Sequence, residues 1–405
     1  MGKASRGKRQ RSRDTSAMWS ATKAARHAHH TRSDTQRLLR NNTWVRTLLS
    51  SNLNNRMAEL NTVIHHSDVP EQHRRDLTFA MVLGKQGMRP PWPSGPDHAA
   101  RWQMRQLDQL LKEAEVLVIS PAAHAAVMAA AATLDPADVA TLDKDRDIPM
   151  PTGLLVLPDP IIVENRGGSV SDIRAFGWQF ITQHQVLPTA QYDGVQLTCF
   201  MDRDGPVQPE SWRAAVTHAR ATGSPLPPLV PDGIYGLRAD SALGAESGEQ
   251  RAALSEQHRS INTALNRVAA HNALPLEEGM WDGGRIVDTY DDFAARYAFA
   301  FWRLAAQGVT VLGPSRERAS QSETVRPSAD SDIRVIRLAY QIPAQRSGKE
   351  EGEGRVYQHR WTVRMHKVRQ WYPSSQQHRL IWRGPYIKGP ADAPFMIGEK
   401  AYSIS

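Results

Sequence analysis

Pro151-Thr152-Gly153-Leu154-Leu155-Val156-Leu157-Pro158-Asp159-Pro160-Ile161-Ile162-Val163 is where the chain changes character. Two short apolar runs bounded by Pro and Gly read as strands. Asn165-Arg166-Gly167-Gly168 behind them reads as a turn between strands. Ile173 to Phe180 and Val195 to Met201 continue the pattern, and Asp202-Arg203-Asp204-Gly205 closes it as a polar turn. Upstream of about Pro149 the apolar spacing is helical instead. The expected fold class is therefore α+β: a helical N-terminal part, a mixed strand and helix middle, and a small antiparallel β-rich C-terminal module.

Working outward toward the N-terminus, Trp44, Val45, Leu48, Leu49, Leu53 and Met57 recur at helical intervals, with Leu38 and Leu39 one turn earlier. Leu77, Met81, Val82 and Leu83 form a second stripe, stopped by Arg89-Pro90-Pro91. Asp97 is read as the cap of a helix from His98 through Leu111. Leu117 to Ile119 is a short extended piece, and Ser120-Pro121 opens an alanine-rich helix as cap and first helical position. Toward the C-terminus, residues 206–245 are rich in Pro and Gly and read as a long loop or insertion. Helices are expected from Gln250 to His271 and from Asp291 to Gln307, with Asp291-Asp292 as cap and first-turn acid. Ile333 to Tyr340 and Tyr357 to Val368 alternate as strands. The domain division implied is a disordered basic tail at 1–16, a helical region at 17–148, a mixed region at 149–312, a flexible linker at 313–331 and a basic, aromatic-rich β module at 332–405.

Several classes of function lack support. A single cysteine, Cys199, rules out an intrachain disulfide and a multi-cysteine zinc site, and its strand setting reads as a buried small apolar residue. There is no Gly-x-x-x-x-Gly-Lys-Ser/Thr loop, no Gly-x-Gly-x-x-Gly fingerprint and no His-Glu-x-x-His, so no nucleotide cofactor and no metal are expected. His27, His29 and His30 read as solvated, and His65-His66-Ser67-Asp68 reads as loop. No apolar run approaches the roughly 18 residues a membrane span needs, and the basic N-terminus has no apolar stretch behind it. A reducing cytoplasm is the compartment these features suit.

Charge placement is more informative. Residues 1–50 carry twelve Lys/Arg against two Asp, and residues 355–388 carry eight Lys/Arg and no acid, in a chain of net charge +8. Two basic segments therefore flank an acidic body, the asymmetry expected for a polyanionic partner. The C-terminal segment, from Arg355 to Lys388, also holds three His and six Trp/Tyr. Arg360, Arg364, Lys367, Arg369, Arg379 and Arg383 can meet phosphates, while Trp371 and Tyr372 can stack on unpaired bases. Two strands around Tyr372-Pro373-Ser374 would put Trp361, Val363 and Met365 on one face and Arg360, Thr362, Arg364 and His366 on the other.

This segment resembles the C-termini of a family of uncharacterised proteins encoded by actinobacteria and their phages and plasmids. The shared motifs are His359 to Arg364, His366, Gln370 to Ser374, His378 to Trp382 and Pro385 to Pro390. Where that family has Gly-His-Trp, this chain has Met365-His366-Lys367. The resemblance carries no assigned activity and bears on the limits of the module.

The reading that follows is a non-enzymatic nucleic-acid-associated protein of a mobile element, docking single-stranded nucleic acid or RNA through the C-terminal module. Two others compete: a protein-interaction factor with no nucleic acid, and a metal-independent nuclease using His366 and His378 as base and acid. Residues 1–16 contain almost no apolar side chain to bury. Deleting them is expected to leave the melting temperature nearly unchanged; a drop of several degrees in a thermal melt would show that they pack on the body.

Overall fold

The computed structural model describes residues 19–65, 71–134, 136–139, 141–143, 147–165, 170–187, 190–239, 284–288, 292–306, 310–314, 334–338, 359–363, 366–372, 376–383 and 386–390. Helices α1 (Ala21–Leu39), α2 (Thr43–His65), α3 (Glu71–Leu83) and α4 (Pro96–Glu113) lead into β1 (Glu115–Ile119). Helices α5 (Pro121–Ala131) and α6 (Pro136–Val139) follow, then β2 (Thr141–Leu142), β3 (Thr152–Asn165), β4 (Val170–Leu187) and β5 (Ala190–Asp202). Next come α7 (Glu210–Ala221), β6 (Leu229–Ala239), β7 (Ile286–Asp288), α8 (Phe293–Ala305), β8 (Thr310–Pro314) and β9 (Arg334–Leu338). The chain ends in β10 (Trp361–Val363), β11 (His366–Tyr372), β12 (Gln377–Arg383) and β13 (Tyr386–Lys388). The fold is α+β.

A nine-stranded mixed sheet runs in the order β2-β6-β5-β4-β3-β1-β9-β8, with β7 also paired to β3. Strands β3 to β6 form an antiparallel meander, whereas β1 lies parallel to both β3 and β9. Because side chains alternate along a strand, β1 feeds two cores at once. Val116 and Val118 face α1, α2 and α4 with Leu154, Val156 and Val335, and α7 completes that layer through Val216 and Ala219. Leu117 and Ile119 face α5 and α8 with Leu155, Leu157, Phe176 and Trp178. Both faces of the sheet are thus covered by helices.

The local reasons for these elements are mostly those the sequence suggests. Ser120 Oγ accepts from Ala123 N (3.3 Å), with Pro121 opening α5. Cys199 is a buried free thiol whose pKa burial pushes well up. Among the described residues, no helix is long and apolar enough to cross a membrane.

Other expectations are corrected. Residues 17–148 do not form a separate helical region, because β1 sits between β3 and β9 in the sheet of the middle part. Likewise β9 belongs to that sheet rather than to the C-terminal module, and β8 occupies 313–314 of the expected linker. Residues 206–245 are not simply loop. They hold α7, whose Val216 and Ala219 are buried, and β6, whose Pro231 sits at the register shift beside Cys199 and Phe200, where a proline is tolerated in a sheet. Helix α4 begins at Pro96 behind Gly95, and Asp97 lies in its first turn paired with Arg46 (3.3 Å) and Arg101 (2.5 Å) instead of capping. Asp292 makes no capping bond at α8; Asp288 reaches from β7 and accepts from Phe293 N at 2.7 Å. The expected tail, the helix at 250–271, the turn after Asn165, the His66-Ser67-Asp68 part of the expected loop, Asp291 and most of the linker lie outside the described residues.

Strand β4 meets α8 through Trp178, which is fully buried against Phe301 and Trp302 at ring-centroid distances of 6.1 and 5.7 Å. Its indole N–H donates to Met150 O at 3.1 Å, so the ring is fixed in place. Gly153, paired with Trp178 across β3 and β4, has no Cβ because the indole fills that position. Gly153→Ala is expected to destabilise the fold by about 1–3 kcal/mol through overpacking, read as a lower denaturation midpoint; an unchanged midpoint would mean that the sheet yields there at no cost.

Candidate nucleic-acid interface

The C-terminal strands are two ladders of one hairpin. Trp361 pairs with Lys388 and Val363 with Tyr386; further out, His366 pairs with Arg383 and Tyr372 with Gln377. Two residues separate the ladders on each arm, 364–365 and 384–385, so the pairing offset is the same in both. The root is anchored. Ile387 packs against the core formed with α5 and α8, and β10 lies against α5. Gly389, at φ +115°, brings its Cα against the His359 carbonyl and Arg360 Cα, where a side chain would collide.

This geometry sorts the residues that the sequence singles out. Arg360 is only 8% exposed, so it belongs to the root and not to a docking surface, contrary to expectation. Arg364 lies outside the described residues. Directly opposed residues of an antiparallel pair share a face, and faces alternate along each strand. Lys367, Arg369 and Trp371 therefore share one face with Trp382, Leu380 and His378. Tyr372, Arg379 and Arg383 share the other with His366, Val368, Gln370, Ile381 and Gln377. The expected split into an apolar and a cationic face concerns residues 360–366, of which Arg364 and Met365 lie outside the described residues. Trp371, 47% exposed, is one of three exposed large hydrophobic residues among those described.

The same register separates the two histidines of the nuclease reading. His378 stands opposite Trp371, five residues along from His366 and on the other face. At about 3.4 Å per residue that is roughly 17 Å, far beyond the reach of two groups sharing one phosphate. The hairpin does not assemble that pair.

Buried polar groups elsewhere are the other places where chemistry could sit, and the sequence reading passed over them. Tyr297, fully buried on α8 and stacked on Phe176, hydrogen-bonds His124 Nδ1 on α5 at 2.7 Å. Burial, helped by the Arg174 charge, lowers the His124 pKa to about 4, and burial pushes the Tyr297 phenol well up. The neutral imidazole accepts and the phenol donates, which satisfies a polar pair inside the core. The available signal was His124 itself, the one polar side chain in Pro121–Ala131. Arg296 pairs with Asp288 (3.1 Å) and Asp292 (2.9 Å) at the start of α8. No group of three or more His, Cys, Asp or Glu among the described residues could hold a metal ion.

Asp172 on β4 is fully buried; its Oδ1 accepts from Gln208 Nε2 at 2.9 Å, while Oδ2 has no partner and lies against Gly205. This latch ties the loop after β5 to the sheet. Compared with models of known protein families, with curated proteins and with solved structures, the chain has no match.

Burial, reinforced by the Asp232 and Asp202 charges, raises the Asp172 pKa from 3.8 to about 7. The folded state thus binds more protons than the unfolded state between those values, and stability falls as pH rises through that window. Asp172→Asn keeps the shape and cannot ionise. At pH 8 it is expected to be more stable than the parent by on the order of 1–3 kcal/mol, the gap closing toward pH 4. Chemical denaturation at both pH values measures this; a variant weaker at pH 8 would show that the ionised carboxylate is favourable.

Proposed function

We propose that the protein is a non-enzymatic nucleic-acid-associated module that docks a single strand on the hairpin face carrying Lys367, Arg369 and Trp371. The observation that supports it most is Trp371, a large aromatic left exposed at the next-to-last position of β11, in a segment with no acid from Arg355 to Lys388. Apolar surface left exposed costs about 25 cal/mol per Å², and base stacking is one use that offsets it. A duplex hides its base faces, so an unpaired strand suits this surface better. Cations at alternate positions of β11 lie roughly 7 Å apart along the strand, close enough to follow a phosphate backbone beside the stacked base. Association with a mobile element is supported only by the motif resemblance of the same segment.

Trp371→Ala is expected to weaken binding to labelled single-stranded RNA or DNA by about 1–3 kcal/mol with little change in salt dependence. Lys367→Gln with Arg369→Gln is expected to flatten the slope of log affinity against log salt by about 1.4, roughly 0.7 per contact on a single strand. Titrations with parallel thermal melts check both. Folded variants that keep parental affinity and slope would remove the nucleic-acid reading and leave a protein partner for the exposed tryptophan.

A further inference from the structure

Helix α1 buries one side and offers the other to solvent. Ala21, Ala25, Ala28, Thr31, Thr35 and Leu39 face the core. Lys23, Arg26, His27 and His30 are exposed, and their spacing of three, one and three residues places them on one stripe of the helix. The first turn contains no acid, and Ser20 caps it by accepting from Lys23 N at 3.4 Å. The stripe therefore sits at the positive end of the helix dipole. Lys23 and Arg26 make no ion pair with any described residue. Farther along, Arg37, Arg40 and Arg46 are each engaged, by Asp34, Asp108 and Asp97. Asp34 is the only acid in the helix.

We infer that this outward face of α1 is a second contact for the nucleic-acid backbone, made through phosphates alone. The occupant follows from charge complementarity. A surface of Lys and Arg that pair with no acid among the described residues, and with no exposed aromatic residue among those described beside them, suits phosphate oxygens and offers nothing to read a base. From Lys23 to Arg26 and on to His30 the stripe is about 10 Å long at 1.5 Å per residue, comparable to the axial rise of about three phosphates, at roughly 3.4 Å each, on one strand of a duplex. Lys23 and Arg26 carry the charge. His27, exposed at its edge but with its basicity lowered by partial burial and by Arg174 against the opposing Asp202 charge, can donate a hydrogen bond to the same oxygens. This extends the hairpin reading to a two-point contact: the hairpin holds an unpaired stretch by stacking, and α1 holds backbone of either form.

The test uses the full chain, labelled oligo(dT) and a labelled DNA duplex, with affinity followed against salt by fluorescence anisotropy. Lys23→Gln with Arg26→Gln should flatten the salt slope by about 1.4 on the single strand and about 1.8 on the duplex. The charge-conserving Lys23→Arg with Arg26→Lys should leave both slopes unchanged, and both pairs should melt like the parent because the positions are exposed. Trp371→Ala, in contrast, should affect oligo(dT) far more than duplex. A glutamine pair with parental slopes, alongside a weakened Trp371→Ala, would overturn the α1 contact and leave the hairpin reading standing. A flattened slope with an unaffected Trp371→Ala would do the reverse. A parent that binds neither probe would overturn both.

Discussion

Strand β1 cannot be solvated on either side, and the rest of the structure is arranged around that constraint. Its four residues Val116 to Ile119 are all buried, two toward each face, and both of its edges are taken by parallel partners. Parallel neighbours require crossover connections, and a strand apolar on both faces requires a layer on each. The chain meets both needs in sequence: α4 approaches on one face, β1 passes through, and α5 leaves on the other. The meander from β3 to β6 then widens the platform, and α8 completes the second layer with Tyr297, Phe301 and Trp302.

How much of this could be read beforehand depended on whether the deciding interaction was local. The α8 helix was legible because its apolar residues repeat at helical spacing, and the β11–β12 pair was legible because alternation is a short-range signal. Strand β6 was not, since Pro231, Gly233 and Gly236 speak against a strand and only pairing with β5 makes one. The central place of β1 was equally hidden: Leu117 to Ile119 reads as extended, but nothing in five residues tells which strands, nearly forty and over two hundred positions later, will flank it. Helix capping failed for a related reason at α8, where the acceptor came from Asp288 on a different element.

At the binding surface the same division holds. The residue types of the C-terminal segment were plain, and so was the pairing of two strands there. The register was not, and register decides which residues act together. It sets Trp371 opposite His378 and so separates His366 from His378, while burial places Arg360 in the root. The amphipathic nature of α1 went unread because its inner side is built from Ala and Thr, whose weak hydropathy hides the stripe. Small side chains there let the helix approach the sheet closely, and Thr35 uses its hydroxyl to accept from Leu229 N at 3.2 Å.

The common pairing offset of the two hairpin ladders constrains how such a chain can change length over evolutionary time. An insertion or deletion confined to one of the two-residue stretches between ladders would shift one arm against the other by a position and turn Trp371 toward the opposite side. Only paired events, one on each arm, preserve the surface. Relatives descended from the same ancestor and using the same face should therefore differ in the reach of the hairpin by matched steps on both arms.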